Sequence, residues 1–266
     1  SRRPHLALAS VWFFLILMLV GFYTYAQTET GGDAEFRYTF ENRSYFNGLT
    51  FALHAFYFGF LLVLPIFVAT EGGAQLAGDT GSGVLLLLLS RPVSRARVFF
   101  SKLAVATSLS MVLVVLLLLS ALLLGLTLVG WGDLDIYPGV LQMTQEHQHL
   151  PQGTALMRFA LAVPAAALAL LAPLSLSFLV STWTRSAVNA VGTSVALYLV
   201  AYVIAEIHFF KDLRPWLFTS YMAYWRELFQ VDVDGRVLAD GALRLLGFSF
   251  VFLALAYGRF RRREER

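Results

Sequence analysis

The chain has 266 residues, of which 58% are hydrophobic and 14% charged. A soluble domain carries about 25% charged residues, so this composition excludes an ordinary globular protein and indicates a polytopic membrane protein. The absence of cysteine excludes disulfides, thiolate metal sites and a cysteine nucleophile. The net charge of +3 does not indicate nucleic-acid binding, because the basic residues flank apolar segments.

Six apolar segments approach the length of about 20 residues that a helix needs to cross the hydrocarbon core. We therefore predict an all-α polytopic membrane protein with a single transmembrane domain over residues 1–266. The predicted spans cover residues 6–26, 48–69, 103–129, 156–180, 187–205 and 241–257.

Lysine and arginine near the ends of these spans are concentrated on one side. The loops after spans one and three on the other side are acidic. Because positive charge marks the cytoplasmic side, we predict a multi-pass protein of the bacterial inner membrane with both termini in the cytoplasm. The basic side carries Arg2, Arg3, Arg91, Arg95, Arg97, Lys102, Arg185 and the C-terminal arginines from Arg259 to Arg266.

The loop between spans two and three, residues 70–102, contains five glycines and the leucine-rich run 84–90. This run is far too short to cross a bilayer, and Gly83 before it and Pro92 after it are helix boundary signals. We predict a short helix over residues 83–91 on the inner membrane face, with Asp79 capping its start. The alternative is an ordinary loop whose leucines rest on lipid.

The order of residues in this loop resembles the first cytoplasmic loop of ABC-2 type transporter permeases. In that family an acidic residue and Gly-Thr-Leu precede a leucine-rich helix, then Pro-Val-Ser-Arg and a later lysine. Val84 stands at the usual threonine position and Asp79 at the usual glutamate position. The matching residues are Asp79, Gly83, Leu85, Leu88, Leu89, Ser90, Pro92, Val93, Ser94, Arg95 and Lys102.

The resemblance implies that the loop is a coupling helix that docks on a separate ATPase subunit. It implies a permease subunit of an ATP-binding-cassette transporter, with export favoured, that works with two ABC ATPase subunits and a second copy or a paralogous permease. ATP and Mg would then bind to the partner subunit. The ATPase-coupling residues implied are Asp79, Gly83, Leu85, Leu86, Leu88, Leu89, Arg91, Pro92 and Arg95.

The sequence contains no phosphate-binding Gly-x-x-x-x-Gly-Lys-Ser/Thr motif, so we expect no cofactor and no enzyme activity in this chain alone. An intramembrane enzyme or a motor-less scaffold is the alternative function, but few polar side chains within the spans are placed to converge. Glu146-His147-Gln148-His149 is a weak metal-site pattern, and we predict no metal there. The apolar interior favours lipidic, amphipathic or peptide cargo without identifying a substrate.

The loop between spans five and six contains the aromatic-rich segment Leu213–Gln230. Aromatic residues at this density are typical of the boundary between membrane and water. We predict a helical element at the outer interface, as ABC-2 permeases commonly have, with an ordinary outer loop as the alternative. Its candidate gate residues, which would meet membrane lipid, are Trp216, Tyr221 and Trp225.

Overall fold

The computed structural model describes residues 3–31, 45–84, 93–139, 141, 143–144 and 146–262, with the side chains of the first helix described for residues 9–25. Most of the predicted coupling helix lies outside the described residues. The predictions for Leu85, Leu86, Leu88, Leu89, Arg91 and Pro92 therefore stay predictions.

Long helices make up most of the described chain. Five of them are long and apolar enough to cross a membrane, and the first contains a shorter apolar stretch, Ala9–Tyr25. An all-α polytopic membrane protein is therefore confirmed, while a sixth span stays a prediction. The helices are α1 Arg3–Gly31, α2 Gly48–Gly81, α3 Arg95–Val129, α4 Gln152–Trp183, α5 Ala187–Glu206 and α6 Gly235–Arg262.

The second and third helices extend well beyond the spans expected from hydropathy. Helix α2 runs to Gly81 and α3 begins at Arg95, although the sequence places residues 70–102 in a loop. Glycine inside a helix costs only about 1 kcal/mol relative to alanine, and tertiary packing readily offsets that cost. Here the backbone of Gly73 lies directly against that of Val191 in α5, with 3.1 Å between an ideal Cβ and the Val191 Cα.

A π-helical segment, Gly59–Val63, interrupts α2, and a second one, Gly125–Val129, ends α3. The first precedes Pro65, whose ring clashes with the carbonyl of residue 61 in a regular α-helix. A wider π turn moves that carbonyl and keeps the helix continuous. Hydropathy alone identifies the span but not this local widening.

The chain divides into two compact units. The first comprises residues 1–63, 114–163 and 226–234, and it contains two short antiparallel strands, β1 Leu134–Ile136 and β2 Gln148–Leu150, with Asp135 opposite His149. The sequence predicts no strand here, because three residues are too few to show alternation of apolar and polar side chains.

The start of α2 is fixed by the buried side chain of Asn47. Its Oδ1 accepts hydrogen bonds from the backbone N–H groups of Leu49 and Thr50, both at 3.0 Å, as an N-cap does. Its Nδ2 donates to the Asp133 carbonyl at 2.7 Å, and the Gly48 N–H donates to the Gly130 carbonyl at 2.8 Å. Helix α2 is thereby bound to the segment that follows α3.

The second unit comprises residues 64–113, 164–225 and 235–266. Within it, the later part of α2 packs along α5, and Ala77, Val180 and Ala190 form a small buried cluster. An aromatic cluster surrounds the fully buried Phe99 of α3. Its ring centroid lies 5.5 to 5.8 Å from the rings of Phe178, Tyr257 and Phe260.

The contact between Gly48 and Gly125 predicts a sharp difference between two glycine substitutions. A Cβ on Gly125 would overlap the Gly48 carbonyl oxygen, which is backbone and has little freedom to move. We expect Gly125→Ala to lower the free energy of unfolding by about 1–3 kcal/mol or more. The measurement is thermal unfolding of the purified protein in detergent.

Gly192→Ala is the matched control, since no atom lies within 4 Å of an ideal Cβ at Gly192 in α5. Removing a mid-helix glycine into open space should leave stability unchanged or raise it by about 0.5–1 kcal/mol. Equal melting temperatures for the two variants would contradict the close approach of α2 and α3.

Candidate functional site

An ion pair joins the two helices that flank the predicted coupling helix. The Asp79 carboxylate in α2 contacts the Lys102 ammonium group in α3, and Lys102 Nζ also donates to the Gln75 carbonyl at 3.3 Å. The Lys102 and Asp79 side chains are 19% and 24% exposed, so water screens the pair less than a fully exposed one. We call these three residues the loop base.

This geometry corrects the capping role predicted for Asp79. The residue lies in the last turn of α2, inside a helix, whereas a residue that caps a following helix has non-helical backbone angles. Its charge faces the negative end of the α2 dipole, an unfavourable place for a carboxylate. Lys102 supplies the compensating positive charge, and only the folded chain shows that the two residues meet.

The chain leaves α2 through a glycine in the left-handed region. Gly83 has φ +73°, and its N–H donates to the Thr80 carbonyl at 3.2 Å. Gly81 lies so close to the turn between α4 and α5 that an ideal Cβ would be 2.5 Å from the Arg185 carbonyl oxygen. The end of α2 is therefore bound to that turn at Gly81, and the chain direction changes immediately afterwards.

The chain re-enters a helix at a conventional N-cap. Ser94 Oγ accepts a hydrogen bond from the Arg97 N–H at 3.3 Å. Arg95 donates from Nη1 to the Phe260 carbonyl at 3.3 Å, near the C-terminal end of α6, where a positive charge is favourable. Arg95 is thus held by α6, a contact that the sequence analysis did not anticipate.

Ser181 is a further residue of this region that the sequence analysis did not single out. Its buried hydroxyl oxygen accepts hydrogen bonds from the backbone N–H groups of Leu76 and Ala77 in α2, at 3.0 and 2.8 Å. These two bonds hold α2 against the C-terminal part of α4. The sequence contains no signal for this contact, because a lone serine near a helix end is common.

The aromatic segment before α6 is helical, as predicted. It consists of two 3₁₀ helices, His208–Trp216 and Phe218–Phe229, each with a kink. The candidate gate residues do not form one group: Trp225 is fully buried, whereas Trp216 is 78% exposed. The Tyr221 hydroxyl donates to the Pro215 carbonyl at 3.3 Å and accepts from Arg244 Nη1 at 2.9 Å.

The Glu146–His149 pattern lies at the strand pair of the first unit. The buried Asp135 carboxylate accepts hydrogen bonds from His149 Nδ1 at 2.8 Å and contacts His147 Nε2 at 3.3 Å. Tyr137 stacks on His147 with 4.8 Å between ring centroids, and burial together with the Asp135 charge raises the pKa of its phenol to about 12. Among the described residues, no three His, Cys, Asp or Glu side chains are grouped to hold a metal ion.

A comparison with protein-family models decides the family. The model described as ABC-2 family transporter protein matches residues 1–214, which include α1 to α5 and the loop base. The chain belongs to the ABC-2 transporter family. No curated protein sequence matches it. ABC-2 permeases are membrane components of ABC transporters and associate with ABC ATPase subunits, so this chain is a transport component and not itself catalytic.

The contrast between Trp225 and Trp216 predicts unequal effects of truncation in this ABC-2 permease. Trp225→Ala should leave a large cavity and cost about 3–5 kcal/mol of stability. Trp216→Ala removes an exposed side chain and should change stability by no more than about 0.5 kcal/mol in detergent. Thermal unfolding of both variants is the measurement, and equal losses would show that the two side chains share one environment.

Proposed function

We propose that this ABC-2 permease forms the membrane pathway of an exporter and couples to a separate ATPase through residues 83–92. The family match over residues 1–214, which includes this loop, is the observation that carries the proposal. The described residues on both sides support it. Gly81 is packed against the Arg185 backbone and Arg95 is bonded to the Phe260 carbonyl, so the loop starts and ends at anchored points.

The proposed docking element is the short leucine helix over residues 83–91. In its proposed position Leu85, Leu86, Leu88 and Leu89 enter a groove on the ATPase. Burying one leucine is worth about 1.5–3 kcal/mol, so two or three of them suffice for a stable dock. Pro92 sets the angle at which the chain returns towards α3, because its ring fixes φ and removes an N–H donor. Arg91 remains at the edge of the contact.

Membership of the family supports the proposed assembly. Two permease copies, or this chain and a paralogue, enclose the pathway, and two ATPase subunits bind ATP and Mg on the cytoplasmic side. The chain crosses the bacterial inner membrane six times, with α1 as the first span and both termini in the cytoplasm. The apolar stretch Ala9–Tyr25 and the concentration of arginine on one side of the spans support this topology.

We assign the aromatic segment between α5 and α6 to the outer interface. Trp216 is exposed there and suits the membrane–water boundary, while Trp225 is fully buried and packs inside the protein. Tyr221 is held by Arg244, whose guanidinium carbon lies 5.0 Å from its ring centroid. In this proposal the segment covers the outer end of the pathway and turns the chain back into α6.

Cysteine labelling tests the topology directly, because the chain has no native cysteine. Single cysteines at the exposed positions Glu146, Ser82 and Arg261 are treated in cells with a membrane-impermeant thiol reagent. We expect labelling from outside at Glu146 alone, and labelling at Ser82 and Arg261 only after the cells are opened. Labelling of Arg261 in intact cells would exclude a six-span arrangement with a cytoplasmic C-terminus.

Leu88→Glu tests the proposed docking helix. A carboxylate in an apolar groove is unfavourable unless it is paired, so this variant should lose the ATPase while still inserting into the membrane. The tagged chain is purified from its native membrane, and the co-purifying ATPase is quantified by mass spectrometry and by ATP hydrolysis in the eluate. We expect at least a tenfold reduction in bound ATPase.

Ser82→Glu provides the matched control, since it adds the same charge at an exposed position outside the leucine run. It should retain the ATPase. If Leu88→Glu and Leu85→Glu both purify with the normal amount of ATPase, the coupling-helix assignment is wrong.

A further inference from the structure

We propose that Asp79 and Lys102 are positioning residues that make the end of α2 and the start of α3 move as one body when the ATPase pushes the loop between them. This inference rests on the proposed function. It concerns the loop base, which is described completely, and not the docking helix itself.

The placement of Asp79 shows that the ion pair is specific. In the last turn of α2 the carboxylate faces the negative end of the helix dipole, and the preceding carbonyls repel it. The end of α2 itself does not stabilise a negative charge at this position. Its counter-charge comes from another helix: Lys102 is one of two lysines in the chain, and it lies well inside α3.

Lys102 contacts α2 at two levels. Its ammonium group meets the Asp79 carboxylate and also donates to the Gln75 carbonyl, one helical turn earlier. One side chain of α3 therefore holds both the charge and the backbone of α2. Two contacts from one ammonium group restrict sliding along the helix axis as well as separation, which a single exposed ion pair does poorly.

The ion pair matters mechanically because it lies next to a glycine with a left-handed backbone, where rotation costs little. Gly83 has a positive φ and lies only four residues after Asp79. A push on the loop would otherwise be absorbed by rotation at Gly83 and by separation of the loop ends. Because Asp79 lies before Gly83 and Lys102 lies within α3, the pair connects the two helices across that turn and transmits the displacement to both.

The other contacts near the loop serve different neighbours. Arg95 reaches the Phe260 carbonyl of α6, and Gly81 packs against the Arg185 carbonyl between α4 and α5. Neither contact ties α2 to α3. The loop base therefore has a role distinct from these anchors: it controls the distance between the two ends of the loop.

Distance measurements between spin labels test the proposal in the permease–ATPase complex. Ser82→Cys and Ser101→Cys place labels at exposed positions just after α2 and in the second turn of α3, and this chain contributes no other cysteine. With Asp79 and Lys102 intact, we expect the distance between the two labels of one chain to have one narrow distribution, with the same mean in the nucleotide-free and ATP-trapped states. With Lys102→Met or Asp79→Asn, we expect a distribution at least twice as wide, with a mean that differs between the states.

The charge-swapped double variant Asp79→Lys/Lys102→Asp distinguishes a specific pair from a general loss of stability. It should give a distribution narrower than that of either single variant, because the ionic attraction is re-formed with the charges exchanged while the contact to the Gln75 carbonyl stays lost. Arg97→Met is the matched control. It removes a positive charge from the exposed surface of the same α3 turns, and it should leave the distribution unchanged.

The proposal is overturned if Lys102→Met keeps the narrow, nucleotide-independent distribution, or if the swapped variant stays as broad as the single variants. ATPase co-purification separates this result from the docking assignment. Lys102→Met should retain the ATPase, because the leucines are unchanged. If even the wild-type chain purifies without an ATPase, the proposed function is wrong, and the coupling role is wrong with it. The label distance in the isolated chain would then still show whether the ion pair holds the two ends of the loop together.

Discussion

Close approach of helix backbones at glycine residues holds the helices of this permease together, because within the hydrocarbon core there is little hydrophobic driving force for helices to associate. Two helices gain dispersion contacts only where their surfaces interlock, and the absence of a side chain lets the backbones meet. These glycine positions are also where the helices have least freedom to shift. Such contacts join Gly48 to Gly125 in the first unit, and Gly72 to Ser177, Gly73 to Val191 and Gly81 to Arg185 in the second.

Polar contacts are concentrated where helices end. There they fix the direction in which the chain enters or leaves a helix more than they add to the stability of the fold. Asn47 caps α2, Ser94 caps α3, and Arg95 satisfies a carbonyl near the end of α6. Each of these groups would otherwise be an unpaired donor or acceptor close to the membrane, which is costly. The Asp79–Lys102 pair likewise adds little net stability, as one ion pair usually does. Its importance is that it joins α2 to α3.

Hydropathy and the charge pattern were sufficient to predict the helical membrane fold, and the loop pattern was sufficient to predict the family. Contacts between distant residues were not predictable. Asp79 and Lys102 were both recognised as pattern positions, yet their pairing depends on α2 continuing as a helix through several glycines. Trp216 and Trp225 looked alike in sequence, but the turn of the chain between them buries one and exposes the other. The strand pair was missed because strands of three residues carry too little periodicity.

The hydrogen bonds of the Asn47 cap also disfavour deamidation of this asparagine. Asn47-Gly48 is the dipeptide in which deamidation is usually fastest, because the small glycine lets its backbone nitrogen attack the asparagine side-chain carbonyl. In the folded chain that nitrogen donates to the Gly130 carbonyl, and the side chain is engaged by Leu49, Thr50 and Asp133. Attack requires the Gly48 N–H to leave the Gly130 carbonyl and the Asn47 side chain to rotate towards that nitrogen. An aspartate or isoaspartate found at position 47 would therefore indicate that the start of α2 had unfolded locally, because the modification is covalent and remains after refolding.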